Sequence, residues 1–507
     1  MIIVDTGITT DLVNAINSAD RLIYIKGNYE LNASLPANRL ISKVRGRKIV
    51  GIDETSKITF TNIPNGSLQS PIVCFDFQSK ARLYNIKFDF NPNLLLASNI
   101  NIIGIRFKRI LTHTYQSVGI GSSFSDLPTV DIIDTNSLRI SGPTIGITTI
   151  SINSLATTKY YFEIRNPSNT TPKEAYSFFS LNETEVSEES NNSSSYEWLV
   201  DQGEDEADMD SSLSRCTLSF KSNTPLTTYS NRSVVGVDYY GRNLSCDSCI
   251  FNNLGTSIKI QFPPTDTLSS PGSIINPYQS GYYGHRKCSI SRNTFNTSFT
   301  SIFLTGFVTI RGMLVYNNTV NNGQLLFCNG LGGIKSSLIT QNIINNNITD
   351  ENLKSALLIS NGLFVDNSIN NNTFTGSIDV SVSIATTTNY NNIFSNNSFN
   401  HNRKNVFVIK KTDSICITNN RFESLTSQDL ITIRGSSKNL NISFNTLVGV
   451  SSSNFISLRD SQNNTGQIHS RVVITKNKSQ SGTNVQLLSN SSPESYISQP
   501  YFIQNSL

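Results

Sequence analysis

The sequence predicts an all-β chain wound into a right-handed parallel β-helix, a solenoid with a capping helix at its entry and one lateral β-rich insertion. Three observations predict it. Eight similar segments follow one another between Cys288 and Ser479: CSISRNTF, MLVYNNTV, QNIINNNI, NSINNNTF, NIFSNNSF, ICITNNRF, LNISFNTL and VVITKNKS. Their last slots (Phe295, Val320, Ile348, Phe374, Phe399, Phe422, Leu447 and Ser479) lie 25, 28, 26, 25, 23, 25 and 32 residues apart, a period that belongs to repeat architectures. Each segment also holds an Asn two residues before that slot and an apolar residue three before the Asn. The segments are β-branched, alternate at period two and are cut by Asn and Gly, which excludes helical repeats.

The Asn positions are Asn293, Asn318, Asn346, Asn372, Asn397, Asn420, Asn445 and Asn477, and the upstream apolar positions run from Ile290 through Ile343 to Ile474. Asn tolerates the left-handed conformation of a tight turn. Repeated at the strand spacing of about 4.8 Å, its amide meets the amides of the coils above and below.

Taken in order, residues 1–91 read as an N-terminal cap and the first coils. Thr9-Thr10-Asp11 is an N-cap signal, and Leu12, Ala15 and Ile16 fall on one face of a short helix. A capping helix meets a physical need, because an open solenoid end exposes strand edges. RLIYIKGNYEL, ISKVRGRKIVGI and ARLYNIKFDF follow as strands. From 92 to 228 the period stops. VDIIDTNSLRISGPTIGITTISI and KYYFEIRN read as strands of a separate small β unit, and residues 183–210 hold 11 acidic side chains and no Lys or Arg. A solvated excursion explains this run better than a calcium loop, whose spaced ligands and glycine it lacks. VVGVDYYGRN resumes the main helix, assigned to 229–490, and 491–507 is a tail too short for a domain.

Composition removes several functions. A formal net charge of +4 in 507 residues points to neither nucleic acid nor a membrane surface as partner. The first residues lack a signal-peptide pattern, and no apolar run reaches membrane length. The seven cysteines are scattered, and Cys246, Cys288 and Cys416 fall on strand positions as small apolar fillers. One C-x-x-C pair, Cys246 with Cys249, is weak evidence for zinc. No metal or cofactor is expected.

Candidate chemistry lies on the outer side of the third strand of each coil. Alternation in SIDVSVS places Ile378, Val380 and Val382 inward, and Asp379, Ser381 and Ser383 outward. Asp238, Thr432, Arg434, Ser457 and Arg459 are outward by the same count. Asp350 and Glu351, in the turn one coil before Asp379, make a crowded carboxylate set with it, and crowding raises a carboxyl pKa toward that of a general acid. Asp238 lies about five coils away and belongs to a separate site. Coils about 4.8 Å apart offer the separations that glycoside hydrolysis uses, about 5 Å for retention and 6.5–9.5 Å for inversion. Tyr282, Tyr283, His285 and Arg286 in a long loop, with Lys411 and Arg434, are candidate sugar-binding groups.

The entry segment (Ala15, Ala19, Tyr24, Ile25, Gly27, Tyr29 and Gly51) and the Asn-marked coils resemble bacteriophage tailspikes and polysaccharide depolymerases of the pectate-lyase-like superfamily. The resemblance does not extend to 92–228. It implies a homotrimer on a virion, in contact with other phage tail or baseplate proteins, that binds and often cleaves a bacterial surface polysaccharide, capsule or O-antigen, at the cell surface. Glycoside hydrolysis fits the carboxylates better than elimination, since the motifs of calcium pectate lyases are missing. The rival readings are a receptor-binding or structural virion protein without an active site, and a polysaccharide lyase.

Overall fold

The computed structural model describes residues 1–108 and 210–506 apart from breaks, the longest at 93–100, 222–233, 262–284, 347–354, 461–468 and 489–496; between 109 and 209 it describes strand backbones alone. The chain is a parallel β-helix. Each coil pairs in parallel with the next, and the strands form one 32-stranded and one 13-stranded sheet. A typical coil is Thr309–Arg311, Leu314–Tyr316, Thr319–Asn321 and then Gln324–Gly330. The first three belong to the large sheet, the last to the 13-stranded sheet. One core runs the length of the solenoid, with Phe374, Phe399 and Phe422 stacked in one column at ring separations of 4.9 and 5.5 Å.

Asn lines one corner as expected, with two corrections. In QNIINNNI the stacked residue is Asn342, not Asn346. Asn318 Nδ2 donates to Asn342 Oδ1 at 2.9 Å, and Asn342 Nδ2 to Asn372 Oδ1 at 2.9 Å. Ile339 and Ile344 fill the apolar slots there, while Ile343 is 43% exposed. Both frames satisfy the spacing rule, because the segment carries an Asn and Ile at four-residue offsets; strand register selects the earlier one (Val315 pairs with Ile339, Val320 with Ile344). Secondly, the ladder Asn is not the left-handed residue. Its predecessor is: Arg292, Asn317, Gln341, Asn371, Asn396, Asn419, Phe444 and Lys476 all have φ between 52° and 58°. The turn and the ladder are separate jobs on adjacent residues.

The ladder runs unbroken through Asn293, Asn318, Asn342, Asn372, Asn397, Asn420, Asn445 and Asn477. Each side-chain oxygen also accepts the preceding Asn's backbone N–H, and each amide donates to a buried carbonyl, so no polar group of the corner is stranded. Toward the N-terminus thiols replace it. Cys249 N–H donates to Asn293 Oδ1, and Cys216 N–H points at Cys249 Sγ at 3.4 Å. All seven cysteines are free. Burial pushes the Cys288 and Cys328 thiols up to about 12, which makes them inert fillers.

The cap is helix α1, Thr9–Asn17, with Leu12, Ala15 and Ile16 buried. Its N-cap position is Ile8, without a side-chain cap bond; Thr6 Oγ1 instead donates to Asp11 at 2.7 Å, so the Thr9-Thr10-Asp11 signal marks the right place but not the capping group. At the other end the fully buried Arg47 donates to the carbonyls of Ala15 (3.2 Å), Ile16 (3.1 Å) and Ser18 (2.8 Å). These are orphan acceptors of a helix C-terminus, where positive charge is favoured. At the end of the same strand, Arg47–Gly51, a Cβ on Gly51 would lie 1.9 Å from the Asn85 carbonyl oxygen, so only glycine fits that corner.

Segment 92–228 is not wholly outside the solenoid. Ile102–Lys108 pairs with Ile72–Phe77 and Val234–Tyr240 in the 13-stranded sheet. Asp210–Ser214 and Thr217–Phe220 pair with coils on both sides. These coils lack the Asn register, which is why the period hides them. Between Lys108 and Asp210 the strands form two small antiparallel sheets apart from the solenoid sheets, one from 116 to 203 and a three-stranded meander from 129 to 151. Three long connections, Lys108 to Asp210, Gln261 to His285 and Arg459 to His469, leave from the C-terminal end of a strand of the 13-stranded sheet; a fourth, Phe220 to Val234, leaves the 32-stranded sheet.

Candidate functional site

Strict alternation fails on the 13-stranded sheet, and this moves the site. Along it, paired positions skip one residue near the strand start: Thr256 with Thr300 and then Ile258 with Ile302, Ser355 with Val380 and then Leu357 with Val382. The skipped residue and its successor both face the core, as in a bulge. Ser381 therefore shares a column with the core residues Ala356 and Val406 and is fully buried, not outward. Val380 is half-buried rather than inward, and Asp379 sits half-buried at the bend just before the strand Val380–Ile384.

Beyond the bulge the alternation holds. The outward row, one residue per coil, reads Asp76, Arg106, Asp238, Lys259, Phe303, Phe327, Leu358, Ser383, Val408, Thr432 and Ser457. At one end, charges of alternating sign occupy four successive coils. Arg106 makes a bidentate pair with Asp76, Nε to Oδ1 at 3.0 Å and Nη2 to Oδ2 at 2.6 Å. Asp238 lies between Arg106 and Lys259. In the middle, Phe303 and Phe327 stack at 5.1 Å with planes 16° apart. The row is half-buried from Phe303 to Val408 and closed at both ends: Asp238 and Ser457 are 0% exposed and Thr432 is 2% exposed. Asp238, Thr432 and Ser457 project away from the core, as alternation has it, yet are covered.

Asp238 stands five strand steps from Ser383, next to Asp379 in sequence, so the two acids belong to different places as expected. Asp350, Glu351, Tyr282 and Tyr283 lie outside the described residues. The His285–Arg286 backbone forms a short strand paired with Ile310 and Arg311. Arg434 and Lys411 are exposed, and the strand register pairs Arg434 with Arg459 of the next coil, so two of the bases read as outward are neighbours. Two further acids are committed elsewhere. Glu423 accepts from Arg421 at 3.0 and 3.3 Å, and the guanidinium holds its carboxyl below the usual range. Asp429 is buried and accepts from Asn454 Nδ2 at 2.6 Å, while Asn405 donates to its backbone carbonyl at 2.8 Å. Among the described residues no three His, Cys, Asp or Glu side chains group to hold a metal, and no helix is long and apolar enough to cross a membrane.

No family model matches the chain, and no curated protein does. Among solved structures it is similar to a mannuronan C-5 epimerase A-module from Azotobacter vinelandii (9% identity, 98% of this chain, 93% of that one, TM-score 0.38). It is similar also to the tailspike of Pseudomonas phage phi297 (11%, 96% and 76%, 0.39) and to a surface adhesin of Streptococcus pneumoniae (10%, 97% and 89%, 0.37). With TM-scores under 0.5, none of these likenesses bears on chemistry. By its own strand pairing, the chain is a parallel β-helix capped at its entry by a helix.

Proposed function

We propose that the protein binds and cleaves a bacterial surface polysaccharide as a phage tailspike, by glycoside hydrolysis, in a homotrimer carried on the virion beside other tail or baseplate proteins. The observation that carries the reading is the outer row of the 13-stranded sheet. Lys259, the stacked Phe303 and Phe327, Leu358, Ser383 and Val408 follow one another at single-strand steps and stay partly open to solvent. A long row of cation, aromatic and hydroxyl groups at one repeat suits a linear polymer of repeating units. Asp379 stands at the border of this row as the acid, with Asp350 and Glu351 as its proposed partners.

Incubation with capsular and O-antigen polysaccharides tests this. New reducing ends without unsaturated-uronate absorbance are expected, and Asp379→Asn should lower cleavage by orders of magnitude while binding and melting temperature hold. Absorbance of an unsaturated uronate would replace hydrolysis by elimination. Unchanged turnover in Asp379→Asn would remove it from the site.

A second reading, polysaccharide binding without cleavage, is favoured by one observation. The well-placed acids of the described faces are engaged in structure: Asp76 with Arg106, Glu423 with Arg421, and Asp429 with Asn454. Binding without new reducing ends would select it.

A further inference from the structure

The strands that precede the Asn corner, from Ser289–Ser291 to the paired part of His469–Ser479, present two outward residues each. None of these outward positions over eight successive coils is Asp, Glu, Lys or Arg. The other faces of the same coils carry charge: Arg421, Glu423 and Lys478 beyond the Asn corner, Arg434 and Arg459 on the 13-stranded sheet, and Lys335 and Lys438 on the strands between. On the uncharged face one column holds Leu314, Leu338, Ile393, Cys416 and Val473 in strand register, with Ser or Asn at its three remaining positions. Leu338, Ile393 and Val473 are 37, 44 and 38% exposed. The other column is mainly Ser and Thr.

The border of this face carries a second anomaly. Phe444 occupies the left-handed corner position at φ 58°, where every other coil of this stretch has a polar or charged residue, and it is 48% exposed with Lys476 over its ring at 5.1 Å. A bulky aromatic in that conformation is strained, and within one chain its ring gains little burial.

From these features we infer that the uncharged face is the contact surface between copies of this chain, the copies lying side by side with parallel axes. Depletion of charge with retained aliphatic and aromatic groups is the composition of an interface core. The absence of charge disfavours an ionic polymer. Eight strands at about 4.8 Å, each about 15 Å wide with its corners, offer about 600 Å², the lower edge of the 600–1,000 Å² that each partner of a stable pair buries. A parallel copy has the same rise per coil, so contacts made at one coil recur at the next. The inference rests on the trimer reading above and adds which face makes it.

Light scattering on the full chain tests it. The parent is expected near three times 56.0 kDa and Ile393→Lys at 56.0 kDa. Ile343→Lys, equally exposed at 43% but on the neighbouring face, should keep the parent mass. A thiol reagent should find Cys416 blocked in the parent and modify one thiol per chain in Ile393→Lys. Should Ile393→Lys not fold, Leu338→Lys and Val473→Lys probe the same column. A monomeric parent overturns the trimer and the face together. An assembled Ile393→Lys, or equal dissociation of Ile343→Lys, overturns the face alone. Cleavage by the folded chain is read separately and decides neither.

Discussion

Asn342 Oδ1 accepts two hydrogen bonds from Asn318, one from its backbone N–H at 3.0 Å and one from its side-chain amide at 2.9 Å. Asn342→Ala therefore leaves the buried Asn318 N–H without an acceptor and its side-chain amide with the Ile290 carbonyl alone, and it removes the amide donor shared by the Val315 carbonyl and Asn372 Oδ1. A loss of about 3–4 kcal/mol is expected. Asn346→Ala, outside the ladder and with its amide 3.4 Å from the Gly323 carbonyl, should cost less than Asn342→Ala. Denaturant melts of the two variants distinguish the frames; equal losses would contradict the ladder.

Arg47→Met removes three donors from the C-terminal carbonyls of α1. The expected cost is about 3 kcal/mol, concentrated in the cap. Amide exchange should accelerate in residues 9–17 and remain slow in the Asn-marked coils. Uniform acceleration would mean that the cap and the solenoid open together.

Acid should weaken the protein through three carboxylates. Burial pushes the Asp89 carboxyl up, but Lys221 and Lys57 beside it outweigh burial and hold it below its ordinary value. Burial is likewise outweighed at Asp247 by Arg292 and Ser291, and Arg421 lowers Glu423. A carboxyl depressed in the folded state adds stability that is full above its unfolded pKa and is lost as pH falls through the folded one. Melting temperature should thus be flat from pH 8 to 5 with respect to these groups and fall below about pH 4. Asp89→Asn should shallow that fall.

Deleting residues 116–203 behind a short linker should preserve cooperative unfolding of the solenoid, because the described strands of that segment pair within their own small sheets. Extending the deletion through Ser214 should not be tolerated. Asp210–Ser214 bridges Ala81–Tyr84 and Asn243–Asp247, and its loss leaves a gap between coils. Calorimetry on both variants checks this.

Much of the fold was legible because the Asn corner imposes two residue types at fixed offsets in every coil. The reading slipped where the offsets are satisfied twice, at Asn342 and Asn346, and only strand pairing separates them. It was blind to the early coils, where Cys216 and Cys249 take the ladder position. Arg47 left no signal, since nothing in VRGRKIV separates it from Arg45 and Lys48 or reveals that three carbonyls await it. The candidate site was less legible. Alternation assumes an unbroken strand, and the inward doubling at Ser381 and Val382 shifts the phase of the segment that carries Asp379. Burial of Asp238 is equally invisible, because an outward residue in a strand can still be roofed over.

Three long connections, after Lys108, Gln261 and Arg459, depart from the C-terminal strand ends of the 13-stranded sheet, while the Asn corner is never interrupted from Asn293 to Asn477. The molecule thus separates a conservative spine from a permissive margin. Segments on that margin can lengthen, be exchanged or be grafted from elsewhere without shifting a single strand pairing. A lineage, or an engineer, can retarget the protein there at little risk to its folding.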